Sequence, residues 1–195
     1  LRERNKDALQ VLRRDYSEEI ERLKFFQYLF FKQWFLLKDY CSKKGIQIIG
    51  DIPIYVSFDS ADVWSNPQIF KLNPQGQPQF LAGVPPDYFS STGQLWGSPV
   101  YDWVYLKEIG FSWWIDRMRH VFGLYDIVRI DHFRGLVAYW QVPAHENTAI
   151  RGEWVKAPIE DFLNTLLEHF PSLPIIGEDL GIITPDVRKV MRQFH

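Results

Sequence analysis

The sequence has 195 residues, of which 46% are hydrophobic and 24% charged, with a formal net charge of −2. That balance describes a globular chain able to bury a core, and the near-neutral charge leaves no electrostatic argument for nucleic acid or an anionic membrane as partner. The single cysteine, Cys41, excludes an internal disulfide, and no apolar run approaches the roughly 18 residues of a membrane span.

The opening, Leu1-Arg2-Glu3-Arg4-Asn5-Lys6, is charged and lacks the apolar segment of a signal peptide. It reads as the interior of a helical region, and Val187 to His195 reads as an open helix, so a piece of a longer protein is expected. From about Ser17 to Tyr40, Ile20, Leu23, Phe26, Phe30, Trp34 and Leu37 recur every three or four positions, predicting an amphipathic helix. Glu18 and Glu19 suit its N-terminal dipole, Gly45 ends it, and Cys41 is expected as a small core residue near its end. Ile46-Gln47-Ile48-Ile49 then predicts a short strand, with Asp51 just beyond it.

Residues 52–102 hold seven prolines and nine aromatics without a sustained period. Loops of that length are functional or disordered, and the aromatic content points to a folded binding loop. Regular structure resumes near Phe111. Trp114, Ile115, Met118, Val121 and Phe122 form a helical stripe that Gly123 can terminate, and Asp126 to Ile130 predicts a strand ending at Asp131. Pro158 opens a helix with an apolar face of Ile159, Phe162, Leu163, Leu166, Leu167 and Phe170. Pro174-Ile175-Ile176 predicts a third strand ending at Glu178, and Thr184-Pro185-Asp186 an N-cap followed by proline.

Alternating strands and helices imply an α/β class with parallel strands, whose β-branched residues suit a sheet covered on both faces. No Gly-x-Gly-x-x-Gly or Walker-type loop follows any strand, which argues against a nucleotide-binding doubly wound sheet. All three strands end in acids, Asp51, Asp131 and Glu178, and a (β/α) barrel keeps its chemistry at that end. Because a whole barrel takes about 250 residues, a partial (β/α)8 TIM barrel is expected over residues 1–195. Residues 52–102 would be a substrate-covering region inserted within it.

Cleaving a glycosidic bond with retention needs one carboxylate as nucleophile and one carboxylic acid as proton donor. Asp131 suits the first role, since Arg129 lies two residues away on the same strand face and would keep it ionised. Glu178 suits the second, because a neighbouring carboxylate helps it hold a proton. Pro85 to Gly97 joins aromatic rings to amide, hydroxyl and acid groups, as a sugar requires. Trp113, Trp114 and Trp140 are expected in the core. His132, His145 and Glu146 lack zinc-ligand spacing, and no Gly-x-Ser-x-Gly elbow surrounds Ser57, Ser90 or Ser91. No metal and no cofactor are assigned.

The stretches Gly50 to Val56, Ser60 to Trp64, Pro85 to Gly97, Arg129 to Gly135 and Gly177 to Gly181, in that order, closely resemble the amylomaltase family of 4-α-glucanotransferases, relatives of α-amylase. The resemblance implies an α-amylase-like barrel, here about strands three to five, which moves α-1,4-glucan segments from donor to acceptor through a covalent glycosyl-enzyme. It assigns Asp131 as nucleophile and Glu178 as acid/base. Arg129, His132 and Asp51 fall at the cleaved bond, Tyr88, Gln94 and Trp96 in a loop over the glucan, and Asp179 in a supporting role. The family's third catalytic Asp belongs to a His-Asp motif on a later strand. The sequence ends before such a motif, so these residues alone are expected to be inactive. Its partners would be maltodextrin, starch or glycogen, and its place the cytosol or the plastid stroma. Two rivals share the residues: an α-glucan hydrolase of the same fold, and a non-catalytic glucan-binding protein.

Overall fold

The structure, a computed structural model, describes residues 1–180 and 183–194. Gly181, which closes the last of the five motif stretches, and His195, at the end of the predicted final helix, lie outside the described residues. The chain divides into two units, Leu1–Ile48 and Ile49–His195.

The first unit is a helix pair, α1 (Lys6–Asp15) and α2 (Ser17–Lys43). Asn5 caps α1 by accepting from the Ala8 N–H. The helix expected from Ser17 to Tyr40 is present, but its apolar residues do not form one stripe. Phe25, Phe26, Tyr28, Phe30, Phe35, Leu36 and Leu37 are all exposed within this unit, and Cys41 is only partly buried. The predicted period was selected from a helix that is apolar around most of its circumference.

The second unit holds a parallel sheet ordered β1 (Ile49–Pro53), β4 (Ile127–Asp131), β7 (Ile175–Gly177). The first strand starts three residues later than predicted, because pairing with β4 begins only at Ile49 opposite Ile127. Asp51 therefore lies inside β1 and faces Arg129 in register. The strands alternate rather than burying both faces. Gly50, Ile52, Val128 and Ile130 point into the core, while Asp51, Arg129 and Asp131 share the more open face. Among the described residues of this unit, that second face is the more open of the two.

The core face packs on α4 (Trp103–Glu108), α5 (Ser112–Leu124), α6 (Ile159–His169) and α7 (Pro185–Gln193). Asp102 caps α4 through the Val104 and Tyr105 N–H groups. Trp114, fully buried, meets Trp103, Phe162 and Tyr101 within 6.3 Å between ring centroids. Truncating such a ring costs about 3–5 kcal/mol. The Tyr101 hydroxyl donates to the Ile54 carbonyl at 2.8 Å, and Arg117 donates to the Pro53 carbonyl at 2.7 Å, pinning the end of β1. Gly123 sits inside the last turn of α5, with Tyr125 as the cap. Leu167, assigned to the core face of α6, is 43% exposed. Trp113 and Trp140 are only partly buried, unlike Trp114.

Residues 52–102 are not one unpatterned loop. They contain the short helix α3 (Ala61–Ser65), a 3-10 turn at Pro67–Ile69, and strands β2 (Phe80–Val84) and β3 (Gln94–Pro99). Those strands join β5 (Ala138–Pro143) and β6 (Glu153–Lys156), which the sequence reading did not anticipate, in an antiparallel sheet ordered β3-β2-β5-β6. This second sheet carries Gln94 and Trp96 beside the ends of β4 and β7.

Candidate active site

Strand β4 ends at Asp131 and the chain reverses at once. His132 adopts a left-handed backbone with φ 54°, and a 3-10 turn follows over Phe133–Leu136. A non-glycine residue in that region is uncommon and costs on the order of 1 kcal/mol, a strain concentrated at functional sites. The reversal aims the His132 N–H at Glu178, just past β7, whose Oε2 accepts it at 2.5 Å. Glu178 in turn donates its own backbone N–H to the Ile130 carbonyl at 3.2 Å, locking the ends of β4 and β7 together.

Arg129 ties the acids into one cluster. Its Nη1 lies 2.7 Å from Asp51 Oδ1, and its Nη2 lies 3.0 Å from both Asp131 Oδ1 and Glu178 Oε1. The last two distances share one nitrogen, so those carboxylate oxygens stand no more than about 6 Å apart. Hydrogen bonding to Asp51, supported by the charges of the other acids, pushes the Arg129 pKa up, so its charge is permanent.

A cleft of about 320 Å³ opens over this cluster, lined by Asp131, His132, Glu178, Gln94, Trp96 and Phe89 among others. The Trp96 ring meets the His132 imidazole edge-on, with centroids 4.7 Å apart, and Trp96 Nε1 donates to Gln94 Oε1 at 3.1 Å. Burial lowers the His132 pKa to about 4, helped by the charge of Arg134 and opposed by Asp131, so its ring is neutral near pH 7. His132 Nε2 is buried without a hydrogen-bond partner among the described residues.

Of the residues singled out from sequence, Asp131, Glu178, His132, Gln94 and Trp96 line the cleft together. Arg129 and Asp51 join them through ion pairs, with Asp51 61% exposed at the margin. Tyr88 does not line the cleft; it is 87% exposed and leans on Phe89, with ring centroids 4.0 Å apart. Among the lining residues that the sequence reading did not single out are Arg134 and Trp154, whose guanidinium and ring stack at 3.9 Å. Arg134 stood inside a quoted motif, but Trp154 lies on unpredicted β6 and carried no local signal.

A parallel sheet with carboxylates clustered at its strand ends, beneath an aromatic cleft, is the class of arrangement used by carbohydrate-active α/β enzymes. Residues 1–195 match the glycoside hydrolase 77 family, 4-alpha-glucanotransferase, and the chain belongs to that family. It is 50% identical over 194 residues to the 4-alpha-glucanotransferase of Aquifex aeolicus, covering 100% of this chain and 40% of that relative. It is 48% identical over 194 residues to the 4-alpha-glucanotransferase of Thermus thermophilus, covering 100% of this chain and 39% of the relative. Among solved structures, the amylomaltase from Streptococcus agalactiae in complex with acarbose superposes with a TM-score of 0.95 at 46% identity, over 98% of this chain and 39% of that one. The chain thus spans about two fifths of the length of these relatives.

Proposed function

We propose that this chain carries the reacting face of a 4-α-glucanotransferase, with Asp131 as nucleophile and Glu178 as acid/base. The observation that carries it is the shared Arg129 nitrogen, which brings one oxygen of each carboxylate within about 6 Å of the other. Retaining enzymes hold this pair about 5–5.5 Å apart, whereas inverting ones leave about 6.5–9.5 Å for a water. In this reading the parallel strands β1, β4 and β7 are part of a (β/α)8 barrel wall, about strands three to five. Their open face is the barrel interior.

In the first step an Asp131 oxygen attacks the anomeric carbon of the donor and forms a glycosyl ester. The bond to the leaving glucan breaks, and Glu178 gives its proton to the departing oxygen. In the second step the Glu178 carboxylate takes the proton of an acceptor 4-hydroxyl, whose oxygen displaces Asp131 and restores an α-linkage. Both Glu178 oxygens are engaged in the present arrangement, Oε1 in an ion pair with Arg129 and Oε2 accepting the His132 N–H.

Around the reacting bond, Trp96 and Phe89 offer apolar faces to sugar C–H groups, and the neutral His132 ring backs Trp96 edge-on at the floor of the subsite. Tyr88, projecting beyond the cleft, meets a longer glucan. Donor and acceptor are α-1,4-glucans such as maltodextrin, starch or glycogen, and the reaction runs in the cytosol or the plastid stroma. No described helix is long and apolar enough to cross a membrane. Incubating the full-length protein with maltotriose tests the reading. Free glucose with a ladder of longer maltodextrins is expected, and products that are only shorter than the substrate would overturn transfer.

A further inference from the structure

We propose that segment 144–152 is a clasp for loop 85–93, in which Trp140 and Ala149 are positioning residues that favour sugar over water as acceptor. The proposal rests on the glucan-transfer reading above. The tip of the loop is organised internally. Asp87 Oδ1 accepts from the Phe89 and Ser90 N–H groups at 2.9 and 2.8 Å, and Ser90 Oγ donates to the Gly93 carbonyl at 2.8 Å. Such a tip shifts as one piece, and its pose is decided at its base. One tie there is the sheet, where Val84 pairs with Gln94.

The second tie comes from the clasp. The Ala149 N–H donates to the Thr92 carbonyl at 3.0 Å, and the Ala149 carbonyl accepts from Trp140 Nε1 at 2.9 Å. Ala149 is fully buried, and a Cβ placed on Gly93, where φ is +68°, would stand 2.9 Å from the Ala149 methyl. Only glycine permits that approach. At the other end of the path the Trp140 ring meets Trp154, with centroids 5.3 Å apart, and Trp154 stacks on Arg134 in the cleft wall. Glu146 and Arg151, with charged atoms 3.6 Å apart, close the segment on itself.

Packed contacts thus run from the cleft wall to the base of the loop that presents Phe89 and leads into Gln94 and Trp96 on β3. A loop held against the cleft excludes water from the glycosyl-enzyme, and a loosened one admits it. Asp131 and Glu178 are untouched by the clasp, so the rate of glycosyl-enzyme formation should be insensitive to it.

The test is Trp140→Phe in the full-length protein, which keeps a ring and deletes the N–H. Leaving-group release from a chromogenic maltooligosaccharide should change less than about twofold. The transfer-to-hydrolysis ratio with maltotriose should fall about fivefold, the factor that one hydrogen bond carries. Amide exchange at Phe89 to Gly93 should quicken. Gly93→Ala, whose Cβ would crowd the Ala149 methyl at 2.9 Å and the Val84 carbonyl more closely still, loosens both ties at the loop base and should act alike. A wild type that makes no ladder removes the transferase reading and leaves the clasp to stand or fall on loop exchange. A wild type that makes the ladder, with ratios unchanged in both variants, or loop exchange unchanged in both, overturns the clasp.

Discussion

The backbone N–H of His132 donates to Oε2 of Glu178 at 2.5 Å, so the residue after Asp131 is bonded to the second carboxylate. The bond spans two strands and holds both acids at one end of the sheet. Asp131→Asn keeps the size of the side chain but removes the attacking charge. Activity should drop by about three or more orders of magnitude with glucan binding retained, a loss comparable to removing a residue that acts as nucleophile. Parallel measurement of turnover and of maltodextrin affinity checks this, and unchanged turnover would falsify the mechanism.

Arg129 is predicted to be irreplaceable by lysine. Its two terminal nitrogens serve three carboxylates, which one ammonium cannot match in geometry. Arg129→Lys should lower kcat about 100-fold, the scale of an ångström-level misplacement of reacting groups. The loss should fall on kcat more than on KM in steady-state kinetics with maltooligosaccharides.

His132 sets an acid limit on stability. Its folded pKa is lowered to about 4 by burial, against about 6.5 in an unfolded chain. Between these values the unfolded state binds a proton that the folded state refuses, so stability falls as pH drops from about 6.5 towards 4. His132→Asn, which tolerates the left-handed backbone, should remove up to about 3 kcal/mol of that pH dependence. Urea midpoints at pH 7 and pH 4.5, compared between wild type and variant, provide the measurement. Equal losses in the two proteins would refute the assignment.

Gly177 should reject any side chain. An added Cβ would lie 2.8 Å from the Phe133 ring, which is buried beside the turn that aims His132 at Glu178. Gly177→Ala should destabilise by about 1–3 kcal/mol, the usual cost of overpacking a core. Thermal unfolding reports the loss, and activity at a permissive temperature should fall as well, because the displaced ring carries the site with it.

Trp96 couples an aromatic surface to the orientation of Gln94. Trp96→Phe keeps a ring against His132 but loses the 3.1 Å bond that aligns the Gln94 amide. The KM for maltotriose should rise about 5-fold, consistent with one neutral hydrogen bond, with a smaller change in kcat. A KM within error of wild type would remove Gln94 and Trp96 from the substrate site.

Much of the site could be read locally. Arg129 and Asp131 are two apart on a strand, and period-two geometry alone puts them on one face. The acids stood after short apolar runs, and Asp131 and Glu178 do sit at strand ends. Asp51 was displaced into β1, because a strand extends as far as its partner pairs with it. Strands β2 and β3 were hidden for a related reason. Their short, weakly alternating residues acquire strand geometry because β2 pairs with β5, some sixty residues away in sequence, and β3 pairs with β2. Trp154 joined the cleft through the same long-range pairing, so no motif around it could announce the role.

The order of residue types along the chain was enough to identify which side chains bear charge, which strands run parallel, and which stretches match a glucanotransferase. These depend on short-range periodicity and on chemistry carried by each residue. Tertiary structure alone decided that one arginine bridges three carboxylates, that His132 turns left-handed to bond Glu178, and that Tyr88 stands clear of the cleft Phe89 enters. Such outcomes depend on distances between segments far apart in the chain, which only the packed core and the sheet registers determine.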